Sequence, residues 1–294
     1  MNNKKGMQNL VEKKVNNERM KELISVTNLS TYLFCKRKLY LENVLGLKAL
    51  PPEANIKGTI RHAVLDLVSK QEKGIVLSIT KETVETIPDK YRFFYSKNLI
   101  NAIKINTPLL EQHKLQAIDV YNELWPWFAE DAELRARYLS ETIARTGLFG
   151  SELWEALTPR IITELFVASD ELELKGKIDR VEQHKEVLVP VEIKTGRAPS
   201  EGVWESHLVQ VGSYMLLLEY TQNATVNEGK IYYLDSGERV VKMNPALREE
   251  IVRLKDKVKI VLHSQDIPDF VDNENKCRKC PLQKDCWELG GRKL

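Results

Sequence analysis

The chain lacks any long apolar run: its longest uninterrupted stretch, Tyr214 to Leu218, is five residues, against the roughly 20 needed to cross a bilayer. The N-terminal segment MNNKKGMQNLVEKK scatters charge where a secretory leader carries an apolar block. Membrane insertion and secretion are therefore not expected, and the expected location is cytoplasmic. Net charge is almost absent as well. Forty-four basic against 42 acidic side chains leave +2, so any affinity for a polyanion has to come from local patches. With only four cysteines in 294 residues, a disulfide framework of the kind that staples small secreted domains is excluded. Internal repeats, low-complexity tracts and an excess of Gly or Pro are also missing, which leaves an ordinary globular composition.

The order of elements is readable from periodicity. Residues 1–24 form a polar lead-in. Ser25 or Thr27 caps a helix running to about Leu41, with Cys35 in its middle, and a second helix after Gly58 carries Ile60, Val64, Leu67 and Val68 as its core stripe. Residues 71–158 read as an almost wholly helical insertion. Pro88 opens one of its helices, Thr107 and Pro108 open the next, and Pro126 is expected to kink or split that one. Trp125, Trp127 and Trp154 suggest that this lobe has a core of its own. Three strands in series follow, Arg160–Ala168, Glu171–Glu182 and Glu186–Lys194, then a helix over Val203–Tyr220, a hairpin of Lys230–Leu234 and Arg239–Met243, and a helix over Pro245–His263. This order predicts an α/β fold, a mixed sheet flanked by helices. The domain division expected is 1–24, 25–70 with Cys35 and His62, the lobe 71–158, the core 159–264, and a cysteine-bearing region 265–294.

The densest chemistry lies in Gly176-Lys177-Ile178-Asp179 and, beyond it, Glu192-Ile193-Lys194-Thr195-Gly196. Side chains alternate along a strand, so Glu192 and Lys194 emerge on one face while Ile193 points inward. A hairpin can bring Asp179 beside them. Two carboxylates so placed offer hard oxygen ligands for Mg2+ or Mn2+, and the adjacent ammonium can hold a water or neutralise charge growing on a phosphate. The competing reading, surface ion pairs on strand edges, is the commoner fate of a lone Glu-x-Lys. Further along, Gln210 and Tyr214 are spaced i, i+4 and share a helix face with His207. Asp66, four residues after His62, is either its partner or a solvated acid.

Together, His62 on an early helix, G-x-x-D at 176–179, E-x-K at 192–194 and Q-x-x-x-Y at 210–214 resemble the PD-(D/E)XK nuclease superfamily, in particular its RecB-like branch. The resemblance implies a restriction-endonuclease-like fold. It also implies that His62, Asp179 and Glu192 ligate metal, that Asp179, Glu192 and Lys194 are catalytic with Lys194 positioning the water, and that Gln210 and Tyr214 contact DNA.

Cys277-x2-Cys280-Pro281-x5-Cys286 supplies three thiols, and Cys35 at the other end of the chain is the remaining one. Four thiolates hold either zinc or an iron–sulfur cluster, and chemistry alone favours structural zinc. The resemblance reverses this. One early cysteine followed by a distant C-x2-C-x5-C is similar to the iron–sulfur pattern of RecB-like nucleases, and above all to the CRISPR-associated RecB-like exonucleases, the fourth numbered Cas family. Nuclease domains of AddB and of the eukaryotic Okazaki-fragment helicase-nuclease are similar too. The implied cofactor is a 4Fe–4S rather than a 2Fe–2S cluster, on Cys35, Cys277, Cys280 and Cys286.

What the resemblance implies about function is a metal-dependent exonuclease acting on single-stranded DNA, 5′ to 3′, in spacer acquisition beside the CRISPR adaptation integrase, with a homo-oligomer as a possible assembly. No P-loop is present, so a stand-alone nuclease is expected. Two rivals stand: a RecB-like repair nuclease outside CRISPR, and a non-catalytic DNA-binding subunit with structural zinc. Within the lobe, residues 90–114 are basic, whereas 116–158 carry three basic and eight acidic residues, so only the former suits a phosphate backbone. Lys90, Lys97 and Lys104 recur every seven residues, with Asn101 and Phe94 between them. That spacing predicts one cationic helix face for a single strand of DNA, or simply a solvated stripe.

Overall fold

The computed structural model describes residues 22–185, 187–222, 224 and 226–291. The polar lead-in expected from the sequence lies almost wholly outside the described residues. A six-stranded mixed sheet forms the centre of one half. Its strands are β1 (Ile24–Ser25), β2 (Arg160–Ser169), β3 (Leu174–His184), β4 (Val187–Lys194), β5 (Glu228–Tyr233) and β6 (Gly237–Lys242). β3 is antiparallel to both β2 and β4, β4 runs parallel to β5, and β5 and β6 form a hairpin.

The β3–β4 ladder runs only from His184↔Val187 to Arg180↔Val191. Beyond it the two strands part, and β3 is next met on that side by β1, at Leu174 and Lys175. The sheet is therefore forked between Gly176 and Asp179, and the end of β4 projects beside the fork.

Helix α1 (Val26–Phe34) is capped by Ser25, and α2 (Lys36–Asn43) follows it after a single residue. That residue is Cys35, which is extended (φ −167°, ψ 118°) and not mid-helical. Its sulfur accepts the N–H of Lys38 at 3.4 Å, so the thiol caps the second helix. The uninterrupted helix expected here is thus broken where the chain turns a sulfur to the C-terminal region.

A parallel connection needs a crossover, and α8 (Glu205–Gln222) supplies it between β4 and β5. All ten residues from Val209 to Leu218 are buried, as in a helix covered on every side. The sheet covers it on one side, and α1 and α9 (Pro245–Leu262) cover it elsewhere. Ile178, Val181, Val211, Leu217, Ile231 and Ile251 are among the fully buried residues of this core.

A second core belongs to α3 (Glu53–Leu77), a 3-10 turn (Lys81–Thr86), α4 (Ile87–Ile105), α5 (Thr107–Gln112), α6 (Ala117–Thr146) and α7 (Gly150–Ala156). It is built on Tyr91, Tyr95, Leu99, Leu124 and Phe128, with Trp125, Trp127 and Trp154 packed against it. The helix is not split at Pro126. α6 is one thirty-residue helix with Pro126 inside, and the interruption falls at 113–116, after the short α5. Four acids of this lobe have basic or hydroxyl partners: Glu72 accepts from Arg135 at 2.8 Å and from Tyr91 at 3.0 Å, Asp131 takes the Tyr95 hydroxyl, Glu123 pairs with Lys57 and Glu133 with Arg92. α3 joins the halves. Its apolar stripe enters the helical core, while Ser69 donates to the Ile161 carbonyl at 3.2 Å and Asp66 accepts from Thr163 at 2.9 Å.

Among the described residues no helix is long and apolar enough to cross a membrane. The final helices, α10 (Glu274–Arg278) and α11 (Gln283–Leu289), carry Cys277 and Cys286.

Candidate metal centre

The fork in the sheet creates the site. Where β4 leaves β3, the Ile193 N–H loses its strand partner, and Asp179 replaces it by accepting that N–H on Oδ2 at 2.8 Å. The other oxygen of Asp179 stands 3.5 Å from Nδ1 of His62, which α3 carries in. Gly58, a turn earlier on α3, lies close to Thr195 just past Lys194, so this helix crosses the end of β4.

Glu192 is only 5% exposed. Its Oε1 accepts from Lys194 Nζ at 2.8 Å and from Gln210 Nε2 at 2.7 Å, and Gln210 Oε1 accepts from Lys194 at 2.8 Å. The three side chains close a ring of hydrogen bonds. Gln210 Nε2 also donates to the Tyr214 hydroxyl at 3.1 Å. Gln210 and Tyr214 are buried, at 7% and 3% exposure, so the pair predicted as a helix-face stripe forms the inner wall of the site. Gly176 makes room for that wall, because a Cβ there would lie 2.7 Å from the Tyr214 ring and 3.1 Å from Val26.

Two carboxylates are thus held in a poorly solvated place. Burial pushes Asp179 up to about 6, against the opposing pull of the Ile193 N–H and Lys194. Burial, and then the Asp179 charge, push Glu192 up to about 7 although Lys194 works the other way. Burial lowers His62, which leaves its imidazole neutral and its lone pair available near neutrality. Among the carboxylates of the described residues, one buried oxygen has no hydrogen-bond partner, Oε2 of Glu192. Such an atom costs about 1–3 kcal/mol if left alone. A cation would satisfy it, so the residues present fit a divalent metal.

The sequence reading missed one carboxylate. The β2–β3 ladder pairs Thr163 with Arg180 and Leu165 with Ile178, so Glu164 stands across from Asp179. Its Oε1 lies 4.0 Å from His62 Nδ1, and ligand atoms of His62, Glu164 and Asp179 fall within 4.8 Å of one another. Glu164 adopts φ +53° and pairs with Lys177. The available signal was symmetry, since 164 and 179 are equidistant from the turn at 170–173. Asp66 is not the partner of His62, as it bonds Thr163 and Lys70. His207 meets the Tyr233 hydroxyl at 2.8 Å, and burial lowers it to about 4.

The four cysteines are half-buried and free of disulfides. Burial raises the Cys280 thiol, the Leu282 N–H and then Lys38 oppose that, and Cys35 and Cys286 reinforce it. Cys280 donates its N–H to the Cys277 carbonyl at 2.9 Å. Arg37 Nε donates to Cys286 Sγ at 3.2 Å. A set of soft thiolate donors backed by N–H groups fits zinc or an iron–sulfur cluster.

The three lysines of the lobe stand on α4. Lys90 is tied to Ser78, at 3.0 Å to Oγ, whereas Lys97 and Lys104 are less constrained and Lys104 is exposed. Phe94 is not the aromatic between them, because it packs against the helical core. Phe93, four residues before Lys97, is 61% exposed, and the Lys97 ammonium lies 5.9 Å from its ring centroid.

These features coincide with a known protein class. Residues 23–287 match the PD-(D/E)XK nuclease superfamily, and the chain belongs to it. Among curated proteins, it is 33% identical over 147 residues to a CRISPR-associated exonuclease Cas4/endonuclease Cas1 fusion of Leptospira interrogans, a match covering 47% of this chain and 27% of that one. It is 31% identical over 126 residues to the CRISPR-associated exonuclease Cas4 of Rhodospirillum rubrum, covering 42% and 38%. A DNA replication ATP-dependent helicase/nuclease, JHS1 of Arabidopsis thaliana, is 24% identical over 277 residues, covering 88% of this chain and 20% of that protein. The chain spans well under half the length of each of these relatives.

Proposed function

We propose that this protein is a divalent-metal-dependent DNA exonuclease. The observation that carries the reading is the unpartnered, buried Oε2 of Glu192 beside the buried Asp179, within a ring that fixes Lys194. His62, Asp179 and Glu192 are the residues that would hold Mg2+ or Mn2+, and Glu164 is the carboxylate whose ligand atom groups with those of His62 and Asp179 in the structure. When bound, the metal supplies a Lewis acid for the phosphate and an acidified water. Lys194, braced by Glu192 and Gln210, orients the attacking water and offsets charge developing on the phosphate oxygens. Gln210 keeps Lys194 and Glu192 in register, and the Tyr214 hydroxyl fixes the Gln210 amide. Gln210 and Tyr214, expected to contact DNA, are both buried and bonded within the site, so their role toward DNA passes through this bracing.

The same reading assigns an iron–sulfur cluster, 4Fe–4S in preference to 2Fe–2S, to Cys35, Cys277, Cys280 and Cys286. Its role is to staple the two chain ends, closing a loop of about 250 residues whose unfolded freedom is then lost. Single-stranded DNA, cut 5′ to 3′, is the proposed substrate, with Lys97, Lys104 and Phe93 on α4 as a track and Lys90 held at its edge. The names of the Leptospira and Rhodospirillum relatives support a CRISPR-associated role, and the former supports a Cas1 endonuclease as partner; spacer acquisition beside the adaptation integrase is the proposed setting. A cytoplasmic location follows from that role. A second reading, a replication or repair nuclease, is favoured by one observation: the JHS1 match extends over 88% of the chain, helical lobe included. Digestion of end-labelled single-stranded DNA with Mg2+ or Mn2+, and its loss in EDTA, tests the activity; activity insensitive to EDTA contradicts it.

A further inference from the structure

Arg37 is 6% exposed, and among the described residues no carboxylate pairs with it. A buried guanidinium without an anion is costly, because its hydration is lost and nothing of opposite charge replaces it. Its donors go elsewhere. Nε points at Cys286 Sγ (3.2 Å), Nη1 at the Pro268 carbonyl (2.9 Å) and Nη2 at the Cys286 carbonyl (3.4 Å), while the plane lies over the Phe270 ring, 4.2 Å from its centroid. Among these partners the Cys286 sulfur is the one that takes on negative charge when it binds a metal.

Position in the chain sharpens this. The break at Cys35 starts α2, so Arg37 sits in the turn that presents one thiol and reaches across to another, 249 residues later. Lys38 adds its N–H to Cys35 Sγ and its ammonium near Cys280. One guanidinium therefore both joins the two ends of the thiol group and places a fixed positive charge on one of its sulfurs.

We propose that Arg37 is a positioning residue that sets the reduction potential of the metal group held by these cysteines. The inference rests on the iron–sulfur reading above. Each one-electron reduction of a cluster, with the electron drawn from an added mediator, leaves one more negative charge on the iron–sulfur core. An N–H···S bond from a cation favours that reduced state, and such bonds are among the terms that set cluster potentials.

The test uses the full chain purified without oxygen. Iron, acid-labile sulfide and zinc are measured first, then the midpoint potential by mediated titration of the visible absorption. Arg37→Gln keeps a polar side chain without the charge; its ratio of reduced to oxidised cluster at a fixed potential is expected to fall about tenfold, equivalent to about 59 mV for one electron. Arg37→Lys keeps the charge but not the fork, so its potential is expected between the two, and it carries the measurement if Arg37→Gln retains no cluster. Phe270→Leu loosens the same segment while leaving the N–H···S bond, and its potential is expected to stay at the wild-type value. A wild-type potential in a cluster-bearing Arg37 variant, or an equal shift in Phe270→Leu, overturns the proposal. Zinc without iron or sulfide in the wild-type protein overturns the cluster reading itself, a failure read from composition and not from potential.

Discussion

Adding one methyl group at Gly176 should damage the site from behind. In Gly176→Ala the new Cβ would stand 2.7 Å from Cε1 and 3.3 Å from Cδ1 of Tyr214, and 3.1 Å from a methyl of Val26. Neither neighbour is the loose end of a flexible side chain, because Tyr214 is 3% exposed and Val26 is fully buried. Overpacking of this kind costs about 1–3 kcal/mol. If the ring yields, its hydroxyl leaves Gln210, which adds about 0.5–1.5 kcal/mol for the broken hydrogen bond. The total expected from urea unfolding of the metal-free protein is about 2–4 kcal/mol. Tyr214→Leu removes the obstructing ring, so Gly176→Ala made in that background should cost less by at least about 1 kcal/mol. Additivity of the two changes within about 0.5 kcal/mol, the behaviour of independent sites, would refute the claim that Gly176 exists to admit Tyr214.

Three further outcomes follow from the same geometry. Cys35→Ala and Cys286→Ala should lose metal and thermal stability to the same extent, since ligands of one group fail together; full metal content in Cys35→Ala would make it an ordinary thiol. The carboxyl groups of Asp179 and Glu192 have folded values raised to about 6 and about 7, so the metal-free folded state holds protons that the unfolded chain has released. Its stability should therefore fall as pH rises from about 4 to 7, while Mn2+ affinity measured by calorimetry should rise over the upper part of that window. Glu192→Gln should flatten both trends, and an unchanged pH slope would show that these carboxylates are solvated. In the double variant Lys97→Ala, Lys104→Ala, the salt dependence of single-strand binding should flatten by about 1.4 log units per log of salt, at about 0.7 for each phosphate no longer neutralised; an unaltered slope returns both lysines to solvent.

Of the six strands, β1, two residues long, falls where the sequence reads as lead-in and helix cap. The other five were legible because runs of alternating or continuous apolar residues occur in series between turn residues, and the structure moves their ends by only a few positions. β3, for instance, starts at Leu174 instead of Glu171, since 170–173 are used by the turn, where Ser169 Oγ accepts the Leu172 N–H at 3.2 Å. The break at Cys35 was not legible. Tyr32 to Tyr40 holds no Gly or Pro, so nothing in the local sequence marks a break there. The pairing of Asp179 with Ile193 N–H was hidden for a similar reason, because it depends on where two strands part and not on either strand alone. Glu164 escaped because its partner is defined by hairpin register and its backbone by a positive φ that no propensity assigns to Glu. Burial of Gln210 and Tyr214 could not be told from an i, i+4 spacing, which is the same whether the face looks inward or outward.

Lys194→Ala tests the central claim most directly, because Lys194 bonds Glu192 and Gln210 within the site and is not among the proposed metal ligands. Cleavage of end-labelled single-stranded DNA in Mn2+ would be compared for the purified wild type and variant, with Mn2+ affinity and circular dichroism measured on the same samples. The account predicts a loss of at least about a hundredfold in rate, the scale of removing one preorganised charge-stabilising group, with fold and Mn2+ binding retained. Wild-type cleavage by a folded Lys194→Ala protein would contradict it.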